Sequence, residues 1–210
     1  MEESRTCRKD GRIGTVKEFH LQAPISKGDL GEITVGDTVH LSGILYEMRG
    51  PAQVRALEYR RDDKALPFPL ENAAIAQTYS NAFMTGSGWK INCMGISTSK
   101  HAQPYAVDMI RNFRLSAIVG KGGMDRPVLE AMKEWDCIYL AQVGGCGALY
   151  AKQVKGIQGI YWEDLGFEKI LAFEVEDYGP LLVAMDNKGN SLYEKVQEEV
   201  NRRIPHAYNL

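Results

Sequence analysis

Two glycine clusters, each closing a short apolar run, are the first places in this sequence where residue type and spacing suggest chemistry. Gly120-Lys121-Gly122-Gly123 follows the run 115–119, and Gly144-Gly145-Cys146-Gly147 follows the run 137–143. Where a strand gives way to a helix, such loops present unpaired N–H groups, and glycine lets a ligand approach the backbone closely. Lys121 would add a cation beside those donors, so the chemistry implied is the capture of an anion, a carboxylate or a phosphate. The same glycines also suit tight turns and close helix–strand packing. The nucleotide patterns are incomplete: GxxxxGK[ST] is absent, and Gly145-x-Gly147 meets Tyr150 where a third glycine would stand.

Other chemistries find less support. The four cysteines (Cys7, Cys93, Cys137, Cys146) are widely separated and form no CxxC, and the four histidines (His20, His40, His101, His206) form no HExxH. Neither a disulfide framework nor a metal site on this chain is expected. With 25 Lys and Arg against 27 Asp and Glu the net charge is -2, and no block of like charge occurs, which speaks against nucleic acid as a partner. The longest uncharged stretch, 72–89, holds too many polar residues and glycines to cross a membrane. The first nine residues carry five charges and no apolar stretch, so no secretory signal is read there and a cytoplasmic location is expected.

The elements that must position the loops follow from periodicity. In 210 residues that are 44% hydrophobic we expect one domain spanning 20–210, preceded by a polar extension over 1–19. A turn at Gly36-Asp37 opens a strand over 39–45, and Pro51 begins a short helix with Val54 and Leu57 on one face. Residues 73–79 and 89–94 are strand-like, and Thr85 to Gly88 between them suggests a hairpin or a loose loop. Strands over 115–119 and 137–143 alternate with helices, the first carrying Val128, Leu129, Met132 and Trp135, the second covering 148–154. Two further strands (171–175 and 181–185), a turn over 186–190 and a helix over 191–203 complete the chain. Strands separated by helices predict an α/β fold with parallel pairing.

Three stretches together resemble one family. VGDTVHLSGIL (35–45), VGKGGM (119–124) and the run from GGCGALYAKQ to DNKGNSL (144–192) are similar to the β subunit, or C-terminal half, of the iron–sulfur fumarate and tartrate dehydratases, the class I fumarases. The resemblance implies a swivelling β/β/α domain with a mostly parallel central sheet. It implies a partner as well, an α-type subunit carrying a [4Fe–4S] cluster that this chain does not bind, and hence a homo- or hetero-oligomer acting on a small carboxylate substrate. The activity implied is hydro-lyase chemistry, reversible elimination of water from a 2-hydroxy carboxylate.

Site residues transfer by motif. The family's Arg-Asp-x-x-His-[Arg/Lys]-Arg stands here as Arg49-Gly50-Pro51-Ala52-Gln53-Val54-Arg55, which keeps Arg49 and Arg55 as carboxylate ligands and loses the Asp and His. Its Gly-Pro-Thr-Thr-Ser-x-Arg-Met stands as 95–102, with Ser97 at the position of the catalytic base, Thr98 beside it, and His101 where an arginine binds substrate. Gly-Lys-Gly is intact around Lys121. His101 lacks the bidentate fork by which arginine grips a carboxylate. These departures leave two expectations: a dehydratase subunit with an altered substrate, or a catalytically degenerate assembly or regulatory partner.

Overall fold

The computed structural model describes residues 16–207. Five strands form its centre: β2 (Thr38–Glu47), β3 (Ala74–Ala76), β6 (Ala117–Gly120), β7 (Ile138–Ala141) and β9 (Ile170–Met185). Parallel pairing runs β2–β3–β6–β7, as the strand–helix alternation predicts, and β9 then pairs antiparallel with both β7 and β2. This second pairing of β9 closes the five strands into a ring. β1 (Glu18–Ala23) adds in parallel to β2, and β8 (Val154–Tyr161) adds antiparallel to β9.

Closure explains why β3, β6 and β7 are apolar throughout rather than alternating. Ala74, Ala76, Ala117, Val119, Ile138 and Leu140 pack together inside the ring. Their neighbours Ile75, Ile118 and Tyr139 face the helices outside. Both faces of β3, β6 and β7 are therefore buried. The helical layer comprises α1 (Gly50–Arg61), α2 (Gln103–Phe113), α3 (Arg126–Glu134) and α5 (Leu192–Ala207). α3 buries Val128, Leu129 and Met132, as its spacing predicts, and α2 buries Ala106, Met109, Ile110 and Phe113. The hairpin of β4 (Asn81–Thr85) and β5 (Gly88–Cys93) stands apart as a two-stranded sheet, and the short α4 (Gly147–Ala151) packs near it.

Several boundaries differ from the sequence expectation. The extension over 1–19 lies mostly outside the described residues, but its last two residues already belong to β1, because Phe19, Leu21 and Ala23 alternate against β2. The helix expected over 148–154 ends at Ala151, and Val154 starts β8 instead. The strands expected at 171–175 and 181–185 are one continuous β9, whose polar middle Glu176-Asp177 lies where the pairing shifts register. The turn over 186–190 forms as expected: Asp186 Oδ1 accepts from Lys188 N at 3.0 Å and Asn190 N at 2.9 Å.

Candidate active site

The carboxyl ends of β2 and β3 open into a cleft of about 240 Å³. That is where ligands bind in parallel α/β sheets. Chain order determines what lines it. Arg49, two residues past β2, is the N-cap of α1, so Arg49, Gly50 and Pro51 bring a helix N-terminus to the cleft, a setting that favours an anion. Gln77 and Tyr79 follow β3. Ser97, Thr98 and His101 come from the loop and 3₁₀ turn that lead into α2, and Glu168 ends the 3₁₀ segment before β9.

Arg49 is the electrostatic centre of the cleft. It is 8% exposed, its Nε lies 3.3 Å from Glu168 Oε2, and one terminal nitrogen lies 3.8 Å from Glu47 Oε1. Its guanidinium carbon sits 3.5 Å from the centre of the Tyr79 ring. Stacking of this kind fixes the plane of the fork while its other nitrogens stay available to a carboxylate. Tyr79 Oη donates to Glu168, and this bond holds the phenol above the usual tyrosine range. Glu47 beneath is almost completely buried, and desolvation lifts its carboxyl to about 7 against the pull of Arg49.

Ser97 Oγ accepts the N–H of Tyr79 at 3.1 Å, a bond that favours a negative oxygen over a neutral hydroxyl. Thr98 Oγ1 donates to Lys121 O at 3.1 Å and caps the turn by accepting from Lys100 N at 3.3 Å. His101 is exposed at the cleft edge. Arg49, Ser97, Thr98 and His101 thus converge on one cavity.

Two candidates stand outside it. Arg55 forms a two-pronged pair with Asp164, at 2.8 and 2.7 Å, which ties α1 to the 3₁₀ segment carrying Glu168. Lys121 Nζ donates to Gly95 O at 3.1 Å and Ile96 O at 3.3 Å, so its ammonium braces the loop that presents Ser97. Neither glycine cluster lines the cleft. Gly120 instead permits close packing: a Cβ there would collide with Ser99 Oγ and Tyr139 Oη. Gly120→Ala is expected to destabilise the chain by about 1–3 kcal/mol, the usual cost of overpacking, read as a lowered urea midpoint at unchanged m-value. An unaltered midpoint would show that the loop yields freely.

The departures from the family motifs have local partners. A Cβ at Gly50 would sit 3.2 Å from Tyr105 Cε2, so this tyrosine crowds the position where the motif carries Asp. Gln53 at the His position is fully buried and bonded to Met48 O and Gln77. Sequence reasoning missed Gln77, Tyr79 and Glu168, which fall outside the resembling motifs' site positions. The one available signal was their place, just past β3 and just before β9.

Fold and site together define a mixed α/β domain whose closed sheet presents a cleft of about 240 Å³ lined by a guanidinium, two hydroxyls and an imidazole. Comparison with known proteins supplies the family. The sequence model of the Fumarase C-terminus family matches residues 2–196. The "L(+)-tartrate dehydratase subunit beta" of Escherichia coli K12 is 31% identical over 173 residues, 82% of this chain and 85% of that protein. A Methanocaldococcus jannaschii protein named "Putative L(+)-tartrate dehydratase subunit beta" is 35% identical over 182 residues, 86% of this chain and 93% of its own length. A Geobacillus stearothermophilus "Putative fumarate hydratase class I" is 32% identical over 180 residues, which are 85% of this chain and 34% of that protein. The chain belongs to the fumarase C-terminal family, which includes the β subunits of tartrate dehydratase.

Proposed function

We propose that this chain is the β-type half of a hydro-lyase that reversibly removes water from a 2-hydroxy carboxylate, acting as a swivelling domain against an α-type partner. The observation that carries this reading is the convergence of Arg49, Ser97, Thr98 and His101 on one cleft at the strand carboxyl ends. Arg49 grips a substrate carboxylate at the α1 N-terminus. Ser97 Oγ takes the proton from the carbon next to the one bearing the hydroxyl, hydroxide leaves with its bonding pair, and the carbon–carbon double bond forms. The N–H of Tyr79 steadies the negative charge on Ser97 Oγ before that transfer, which leaves a neutral hydroxyl. Thr98 and His101 line the substrate's path, while Lys121 and Arg55 hold the loops that carry these groups.

The residues described here do not fit an iron–sulfur cluster. Cys137 is buried and its thiol is pushed up to about 12, whereas a cluster needs thiolates. Among the described residues no group of three or more His, Cys, Asp or Glu is arranged to hold a metal. In our reading the cluster therefore sits on the α-type partner, where it would supply Lewis-acid chemistry. Ile96 and Phe167, 50% and 91% exposed and next in the chain to the lining residues Ser97 and Glu168, offer apolar surface for that partner to cover.

The test is Ser97→Ala in the anaerobically assembled complex. A base contributes about 10²–10⁴ in rate, so kcat is expected to fall by at least about a hundredfold with KM little changed, and Ser97→Thr should restore most of it. Turnover within twofold of wild type, with assembly intact, would remove Ser97 from the chemistry. A wild-type complex inert toward every hydroxy acid tried would favour the degenerate assembly partner.

A further inference from the structure

Arg49 does not face the cleft alone. Behind it, at the end of β2, Glu47 is 2% exposed, and its Oε1 lies 3.8 Å from a terminal nitrogen of Arg49, within charge-pairing reach but beyond a hydrogen bond. Glu47 does not line the cleft, so it acts on a ligand through the guanidinium rather than by contact. The groups around its carboxyl come from every neighbouring element. Arg49 stands at the start of α1, Glu168 ends the 3₁₀ segment before β9, Tyr79 and Ser80 follow β3, and Tyr178 lies on β9. Among these five Arg49 is the one cation, and Glu168 shares it at 3.3 Å. Both tyrosines are held above their ordinary range, Tyr79 by its bond to Glu168 and Tyr178 by burial, so neither changes charge near neutrality. Burial lifts the Glu47 carboxyl to about 7, so this group exchanges its proton in the neutral range.

The two forms of Glu47 treat Arg49 differently. The neutral acid leaves the positive charge of Arg49 to the cleft. The carboxylate balances part of that charge and, a guanidinium's width from a bound anion, repels it. We propose that Glu47 is a positioning residue that sets the grip of Arg49 on the substrate carboxylate: the protonated acid permits a tight hold, and the ionised form loosens it. This rests on the cleft being the substrate site, as proposed above. The sign follows by linkage. An anion held at Arg49 disfavours ionisation of Glu47, so the complex keeps the Glu47 proton to higher pH than the free protein, and binding near neutrality takes up protons. Substrate carboxylates are ionised above about pH 6 and add no pH dependence of their own.

Malate and tartrate serve as probes, their affinities measured by calorimetry at constant ionic strength on the anaerobically assembled complex. From about pH 6 to about pH 8 the wild-type affinity is expected to fall about tenfold, the scale of one unit charge acting across a guanidinium. At about pH 7, titrations in buffers of different ionisation heat should show proton uptake on binding. Glu47→Gln keeps the shape and cannot ionise. It should match wild type within about twofold at pH 6, bind about tenfold more tightly than wild type at pH 8, and take up fewer protons. Groups supplied by the partner are the same in both proteins and drop out of these ratios. A histidine also changes charge near neutrality, and His101 stands at the cleft edge, so His101→Asn is measured in parallel and should keep the wild-type fall. A Glu47→Gln to wild-type ratio that stays within about twofold across the range, or a fall that His101→Asn abolishes, overturns the inference and leaves the cleft assignment standing. So does a wild-type affinity that does not fall with pH, a result that needs no variant to fold. Failure of both acids to bind at any pH overturns the cleft assignment and this inference together.

Discussion

Arg49→Ala is expected to lower kcat/KM of the assembled enzyme by about 2–5 kcal/mol, the range for truncating one partner of a desolvated charge pair. The size follows from the setting. The guanidinium is almost wholly buried, stacked on Tyr79 and flanked by Glu47 and Glu168, so its removal deletes the carboxylate ligand and leaves Glu168 at the cavity and Glu47 beneath it without that cation. Arg49→Lys keeps a charge and loses the planar fork, and should fall between the two. Steady-state kinetics over a range of substrate concentration, paired with thermal melts to verify folding, would check this. A change below about threefold, under the ~1 kcal/mol scale of an exposed pair, would move the carboxylate site elsewhere.

The second large effect concerns stability. In the folded chain burial holds the Glu47 proton to about 7, against an ordinary value of 4.5. The unfolded chain releases that proton near the ordinary value. Between these two pH values the native state binds a proton that the unfolded state has lost, so this group makes stability fall as pH rises. The full gap corresponds to roughly 3 kcal/mol. Glu47→Gln should therefore match wild type below about pH 4.5 and exceed it above about pH 7 by up to roughly that amount. Urea midpoints of both proteins across pH 4–8 would measure it. A difference independent of pH would show that Glu47 does not titrate in this window.

What could be read in advance depended on how strongly packing marks the chain. β6 and β7 were legible because strands buried on both faces read as continuous apolar runs, and α3 because its apolar residues recur at helical spacing. α2 carries the same spacing at Ala106, Met109, Ile110 and Phe113 but was not read, coming just after a loop whose motif drew attention to Ser97 and His101. β8 was hidden by Gly156 and Gly159 and by side chains that are only half-buried. β9 was split by its acidic middle, which only the register shift against β2 explains. Arg49, Ser97, Thr98 and His101 came from motif resemblance, since no spacing within a sequence brings residue 49 to residue 97. Gln77, Tyr79 and Glu168 carry no signal beyond their place just past β3 and just before β9. They meet because β2, β3 and β9 are neighbours, which is a property of topology.

The pairing of β2 with β9 has a kinetic consequence. It joins residues 38–47 to residues 171–182, across most of the chain, whereas β3, β6 and β7 join segments much nearer in sequence. Loop-closure entropy makes the distant pairing the slow one, formed on units that local contacts have already built. Arg49 leaves the end of β2, Glu168 enters the start of β9, and Glu47 lies opposite Leu171 in the register. The two walls of the cleft are thus carried by the strands that meet last. A nascent chain released early from a ribosome or chaperone would hold helices and most of the sheet, yet its two half-sites would still lie on separate, diffusing segments.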